Sequence, residues 1–405
     1  MFRSDAVQSV ANKSPHQSSA LRFVILIGIV SLFADMTYEG ARSISGPFLG
    51  ILGASAAIVA FVAGFGELVG YGLRVVSGYL ADRTGRYWGL TLFGYALNML
   101  AVPALALAGS WQLAAVLIVA ERTGKAMRNP PRDVMLSHAT SVTGRGFGFG
   151  LHEALDSIGA TLGPLVVAAV LAVRGDYRAA FAALLVSALL ALGVLVAARI
   201  TFPTPKDFEV ELPAAVASDG RYPRAYWLYL VAVALVAAGF ADFPLIAFHF
   251  HAASVVTDSW IPLLYAIAMG VSAVSGLLFG RLFDRIGIPV LAGATLVAAL
   301  FAPLVFLGGS TLALLGMVCW GVGMGAHESV MRAAVAGFVP TSRRGSAYGV
   351  FNAGYGVFWF LGSALMGILY DVSIAWVVAF AVVLQLAAIP VLLLVQRRAP
   401  DATAN

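Results

Sequence analysis

Glu121, Arg122, Lys125 and Arg128 stand inside a long apolar run, and His152, Glu153 and Asp156 interrupt the next one. An imidazole and two carboxylates within about one helical turn, in a medium of low dielectric, interact strongly enough to take up and release protons near neutral pH. Glu121 and Lys125 are four residues apart and Lys125 and Arg128 three apart, so each pair shares a helix face. A buried arginine stays protonated and holds a nearby carboxylate charged until substrate or conformation moves it away. Asp35, Glu39 and Arg42 form another stripe at i, i+4 and i+7, and Glu67 and Arg74, seven apart, form a similar pair. Later in the chain Asp242 precedes Pro244, with His249 and His251 beyond, and His327, Glu328 and Arg332 form the last cluster. Each group also has a purely structural reading. Arg122 and Lys125 can form static ion pairs, His152 can bond a carboxylate in a packed interface, Glu39 can pair with Arg42 near the outer mouth, and His249 and His251 suit a helix's outer end.

Composition dictates the elements that must position these groups. The 405 residues are 60% hydrophobic and 11% charged, with mean hydropathy +0.90, whereas a soluble domain carries about 25% charged residues. The chain is therefore expected to be an all-α polytopic membrane protein. Its apolar segments are continuous rather than alternating, which excludes a β-barrel, and one span needs about 20 residues. Twelve spans fit, at approximately 21–44, 52–80, 88–109, 112–137, 147–173, 177–198, 225–250, 257–281, 288–308, 311–338, 346–370 and 373–396. A charge inside such a span costs about 2.5–3.5 kcal/mol at the centre unless it faces protein or water. The alternative for the fourth span is an end before Pro130-Pro131, with Arg128 at the surface.

Residues 1–20 read as a disordered cytoplasmic tail, 21–198 and 225–396 as two pseudo-symmetric six-helix halves, 199–224 as a Pro-rich charged linker and 397–405 as a second tail. With the N-terminus inside, the inner connections hold Arg83, Arg86, Arg132, Arg145, Arg199, Lys206, Arg221, Arg224, Arg281, Arg285, Arg343 and Arg344, against Arg174, Arg178 and a bordering Arg42 outside. That asymmetry puts both termini in the cytoplasm. The halves echo one another: Phe33-Ala34-Asp35 and Phe240-Ala241-Asp242, GYLADRTGR at 78–86 and GRLFDRIGI at 280–288, and Arg145-Gly146 with Gly150 and Arg344-Gly345 with Gly349. Duplicated halves with substrate bound between them are a common transporter construction. The single Cys319 excludes an intrachain disulfide and a multi-cysteine metal site. The net charge of +5 is explained by topology rather than by nucleic acid. Neither a Walker loop nor an exposed nucleophile motif occurs, so ATP drive and enzymatic catalysis are not expected.

Gly78, Asp82, Arg83, Gly85 and Arg86 resemble the loop signature of the major facilitator superfamily, G-x-x-x-D-[RK]-x-G-x-[RK]-[RK], with the paired bases reduced because Tyr87 follows Arg86. Gly280, Asp284, Arg285 and Gly287 form a weaker second copy. The resemblance covers essentially the whole chain and implies that these segments latch the halves on the cytoplasmic side. Arg122 with Gly124 resembles the family's R-x-x-x-G motif in a shifted register. Gly159, Gly163 and Pro164 resemble the G-x-x-x-G-P motif of its antiporting exporters, although small residues also serve plain helix packing.

The resulting expectation is a proton-coupled secondary transporter of the bacterial cytoplasmic (inner) membrane that exports a small organic compound or drug by alternating access, acting as a monomer. Asp35, Glu39, Arg122, Lys125, His152, Glu153 and Asp156 in the first half and Asp242, His327 and Glu328 in the second are the expected substrate and proton-coupling residues. The expected partners are a small-molecule substrate, protons and the lipid bilayer. No cofactor beyond the proton gradient and no metal are expected. Alternatives are an organic-anion carrier using Arg122, Lys125, Arg128 and Arg332, a divalent-metal exporter using Asp35 and a histidine of the seventh span, and a non-transporting receptor on the same fold.

Overall fold

The computed structural model describes residues 15–208, 222–339 and 343–398. Most of the expected tails and the centre of the linker, residues 1–14, 209–221 and 399–405, lie outside the described residues, as do the side chains of Arg145, Arg332 and Arg344. The helices are α1 (Pro15–Ile51), α2 (Ala56–Thr84), α3 (Tyr87–Ala104), α4 (Trp111–Thr143), α5 (Arg145–Arg174), α6 (Tyr177–Thr201), α7 (Arg224–Ala238), α8 (Phe243–Ala252), α9 (Trp260–Ile286), α10 (Pro289–Ala298), α11 (Phe301–Phe306), α12 (Ser310–Phe338), α13 (Arg344–Val372) and α14 (Ile374–Arg398). Two spans are broken helices: α7 with α8, and α10 with α11. Among the described residues, eleven spans are long and apolar enough to cross a membrane. The twelfth is α4, as long as the others but loaded with charge.

Successive spans alternate in direction. The turns after Thr84, Thr143, Ile286 and Phe338 therefore share the end that carries the chain termini, here the tail end, and those after Ile51, Ala104, Arg174, Ala252 and Val372 share the far end. Side-chain caps set several starts: Ser55 accepts from the Ile58 amide, Ser110 from the Leu113 amide and Asp176 from the Arg178 and Ala179 amides. The two repeated GxxxD segments end their helices alike. Gly85 (φ +64°) and Gly287 (φ +69°) each take a backbone conformation that a side chain disfavours, and each amide closes onto the carbonyl four residues back.

Expected boundaries move outward where the chain continues helical beyond its apolar core. α1 begins at Pro15, inside the segment expected to be a disordered tail, and runs to Ile51, so Arg42 belongs to the helix rather than to an outer connection. α4 does not stop before Pro130-Pro131 but reaches Thr143. Pro130 has no amide to offer the Ala126 carbonyl, and Ser77 of α2 donates to that carbonyl at 2.8 Å in its place. The first residues of the expected linker also pack. Phe208 is buried against Phe23 and Phe202, and Trp88 Nε1 donates to the Phe202 carbonyl at 3.0 Å.

The buried apolar residues of α1 to α6 form two clusters, and those of α7 to α14 form a third that borrows Ala56 and Ala60 of α2. Large apolar side chains such as Val75, Val76, Leu277, Leu278 and Ile368 remain exposed, which suits a lipid-facing surface. With lipid outside and protein inside equally apolar, close backbone packing must supply the helix contacts. Gly159 and Gly163 of α5 supply it against α1. A Cβ at either position would run into the Leu32 or Met36 carbonyl.

Gly163→Leu should consequently cost about 1–3 kcal/mol of stability, seen as a lower midpoint of thermal unfolding in detergent. Gly193→Ala, on a helix where a Cβ meets open space, should leave that midpoint unchanged or slightly raised.

Candidate functional site

The polar residues of α1 and α4 recur every three to four positions, so each helix carries them on one face. The helices run antiparallel, and each step up α1 is matched by an equal step down α4. Nearest the tail end, Arg132 Nη1 donates to Ser31 Oγ at 3.1 Å, Ser31 Oγ lies 2.8 Å from His152 Nε2 of α5, and Arg132 also pairs with Asp133 at 2.8 Å. One turn on, Arg128 Nη2 lies 3.5 Å from Asp35 Oδ1, and the guanidinium sits 4.3 Å from the centre of the Tyr95 ring. Asp156 of α5 brings its carboxyl group close to that of Asp35. The next step is Tyr38, whose ring is covered by Lys125 Nζ at 3.4 Å and by the Arg122 guanidinium at 4.6 Å.

Above Tyr38 the ladder crosses between the two halves. Arg42 Nη2 pairs with Asp242 Oδ1 at 2.6 Å and with Glu67 Oε1 at 3.5 Å. Arg122 Nη1 holds the same Glu67 oxygen at 3.0 Å, and its Nε faces Glu121 Oε2 at 3.5 Å. Asn98 of α3 donates to Glu121 Oε1 at 2.6 Å. Glu39 accepts from Tyr265 of α9 at 2.6 Å. Asp242 caps α8, accepting from the Phe243 amide at 2.9 Å, and also faces Trp359 Nε1 at 3.4 Å. The break before Pro244 thus sets a carboxylate at the positive end of a short helix, where Arg42 can reach it.

Burial decides what these contacts mean. Arg128 is 0% exposed and Asp242 1%, and Asp35, Glu39, Glu121, Arg122 and His152 are all buried. Opposite charges at these depths hold one another in place, because an unpaired partner would face protein without water.

Asp35, Glu39, Arg122, Lys125, His152, Asp156 and Asp242 are thereby brought together. Glu153 is not. One residue from His152 on a helix is a rotation of about 100°, and its side chain is exposed instead of joining the expected triplet. His327 is buried separately, with its ring 4.6 Å from that of Phe240 and Nδ1 3.4 Å from the Tyr355 hydroxyl, and the adjacent Glu328 is exposed. His249 lies in the last turn of α8, toward the far end as expected, but is buried there. It is 2% exposed and bonds the Tyr370 hydroxyl at 2.9 Å, whereas His251, two residues on and on another face, pairs with Asp258 at the far end. Arg132, expected in an inner loop, and Arg128, which only the alternative of an early helix end put at the surface, are both buried rungs.

The expected gate residues lie at the tail end, and Asp82, Arg83, Gly85, Arg86, Asp284 and Arg285 are exposed, while Gly78, Gly280 and Gly287 are half-buried. Asp82 accepts from the Tyr87 hydroxyl at 3.4 Å, and Arg83 donates to the Tyr79 hydroxyl at 3.1 Å. Toward the far end the halves meet where the Ala57 amide donates to Asp371 at 3.2 Å and Gly46 meets the Pro244 carbonyl, and near the middle of the spans Tyr71 packs edge-on against Tyr355. Sequence reading missed Ser31, Tyr38, Asn98, Tyr265 and Trp359; the first two continue the α1 stripe at four residues before and three after Asp35 and could have been found from it, whereas the other three stand alone in apolar helix. Among the described residues no group of three or more His, Cys, Asp and Glu is placed to hold a metal ion.

A family model described as Major Facilitator Superfamily matches residues 25–329 and 243–405. An uncharacterised protein of Mycobacterium tuberculosis (strain H37Rv) is 42% identical over 377 residues, 92% of each chain. An uncharacterised MFS-type transporter of Methanocaldococcus jannaschii is 29% identical over 163 residues, 40% of this chain and 41% of its own. Among solved structures, a peptide transporter POT in complex with sulfate superposes with a TM-score of 0.72 at 15% identity, over 93% of this chain and 94% of the other. A nucleoside transporter superposes with a TM-score of 0.71 at 14% identity, over 91% and 99%. Likeness at that identity is a likeness of fold.

The ladder makes a thermodynamic prediction. Arg128→Met should lower stability by about 3–5 kcal/mol, because it leaves Asp35 buried beside Asp156 without its guanidinium. Adding Asp35→Asn should restore part of the loss, with a coupling of about 0.5–3 kcal/mol in the double-mutant cycle. Unfolding followed in detergent checks both numbers, and strict additivity would mean that the two side chains do not interact.

Proposed function

The chain belongs to the major facilitator superfamily, and on that premise we propose that it is a proton-coupled secondary transporter exporting a small organic compound by alternating access. The observation that carries this reading is the α1–α4 ladder, in which the Asp35–Asp156 pair meets Arg128 and, beyond the Tyr38 ring that Lys125 and Arg122 cover, shared ion pairs run from Arg122 through Glu67 and Arg42 to Asp242 in the other half. A proton placed on the pair removes negative charge from Arg128 and changes the field at Lys125 and Arg122 across the Tyr38 ring. Differential stabilisation of two arrangements is what a transport cycle requires.

Sidedness follows from charge. The tail end carries Arg83, Arg86, Arg199, Arg224, Arg281, Arg285 and Arg343, and the far end Arg174 and Arg178, so the tail end is the cytoplasmic one. The inter-half contacts at the far end and the exposed gate segments at the tail end support a cytoplasm-open state. The export direction is supported by the Gly159-Gly163-Pro164 segment, which packs on the stretch of α1 that holds Asp35. The organic-anion alternative is weaker, since Arg122 is already held by Glu67 and Glu121, and Arg128 by Asp35.

Thermal-shift screening of the purified protein against a chemically broad panel at two pH values should yield a ligand. In proteoliposomes, transport of that ligand driven by a proton gradient should fall about tenfold or more in Asp35→Asn and in Asp156→Asn, while exchange of ligand without a gradient persists. Full gradient-driven transport in both variants would remove the pair from the mechanism.

A further inference from the structure

A small cavity adjoins the upper end of the ladder. It has a volume of about 30 Å³ and lies between α1, α2, α3, α4 and the start of α8. Its polar lining comes from Arg42, Ser45, Glu121 and Arg122, and Tyr38 closes it toward the tail end. Leu49, Val62, Leu105 and Ile118 line the side toward the far end. A space of about 10–15 Å³ suffices for one water where polar groups surround it. Charged and polar side chains on one wall of the space make it a site that suits water.

We infer that this cavity is a hydrated proton-binding vestibule reached from the far side, with Glu121 as its proton acceptor, separate from the Asp35–Asp156 pair on the tail side of Tyr38. The inference rests on the proton-coupled reading above and extends it by giving the far side its own acceptor. Tyr38, capped by Lys125 and Arg122, divides the two acceptors. At a rise of about 1.5 Å per residue, Glu121 and Arg128 are separated by about 10 Å along α4.

The groups facing Glu121 are mixed in sign. Its own helix supplies Arg122, Lys125 and Arg128, α1 supplies Glu39 and Arg42, α2 supplies Glu67, and α3 supplies the Asn98 amide. A small anion between the two guanidiniums is disfavoured by Glu39, Glu67 and Glu121 around them. A proton on Glu121 relieves that carboxylate crowding and leaves Arg122 to Glu67 alone.

The test is labelling of the full chain in detergent with dicyclohexylcarbodiimide, which adds to protonated carboxyl groups in apolar surroundings, followed by peptide mapping by mass spectrometry. Label should appear on the α4 peptide at Glu121, fall about tenfold for each unit of pH above the titration point, and vanish in Glu121→Gln while the α1 and α5 peptides stay labelled. Bromide should leave the Glu121 label unchanged, whereas protection by bromide would identify an anion site and overturn the inference. Label on Asp35 or Asp156 with none on Glu121 would also overturn it and leave the proposed transport reading intact. Label on Glu121 with none on the aspartates would support the vestibule and count against the pair instead. Because Glu121→Gln can perturb folding, Ser45→Cys in a Cys319→Ser background supplies an independent measure. A water-soluble, membrane-impermeant thiol reagent should modify it from the far side of proteoliposomes, and failure to react from that side would contradict far-side access.

Discussion

A charge on a membrane-spanning helix has to meet protein or water, and that one constraint organises this molecule. α4 carries Glu121, Arg122, Lys125, Arg128, Arg132 and Asp133 in a span otherwise built for lipid. The helix is tolerable in a bilayer because α1, α2, α3 and α5 surround its polar face with Asp35, Glu67, Asn98 and the Ser31–His152 bond. The close backbone contacts have the same origin. Gly94 and Gly124 let α3 and α4 approach until a Cβ on either would clash, and that approach brings Asn98 to Glu121 and Tyr95 to Arg128.

Sharing is the second consequence. Arg42 serves Asp242, Glu67 and Glu39, and Glu67 serves both Arg42 and Arg122. A charge change at one rung therefore alters the partners available at the next. Because Asp242 and Tyr265 belong to the other half, the far-end closure is itself part of the ladder. Opening the far side must separate Arg42 from Asp242 and Glu39 from Tyr265, which ties the protonation state of buried groups to the relative position of the halves. The break in the seventh span is needed for this geometry, since a continuous helix would leave no helix start for Asp242 to cap.

Much of this was legible in the sequence because periodicity is local. The stripe Asp35, Glu39, Arg42 and the spacing of Glu121, Arg122, Lys125 and Arg128 both read as single faces, and the GxxxD repeats read as helix ends. Partners contributed singly by other helices were not legible. Asn98 lies alone in an apolar run, and Tyr265 and Trp359 look like ordinary aromatic residues of a membrane helix. Arg132 reads as a loop residue because two prolines precede it; the Ser77 bond to the Ala126 carbonyl, which replaces the one Pro130 cannot make, comes from another helix. Glu153 shows a limit of spacing alone: it stands beside His152 in the sequence yet is exposed where His152 is buried.

The central claim is that protonation of the Asp35–Asp156 pair shifts the balance between the halves. Its most direct test is the distance between spin labels at Ile51 and Val372, two exposed far-end positions in opposite halves, in a Cys319→Ser background and measured by double electron–electron resonance across pH. On acidification the distribution should move toward longer, far-side-open distances, and the Asp35→Asn, Asp156→Asn double variant should show no pH-dependent shift. The same pH-dependent opening in that variant would contradict the account.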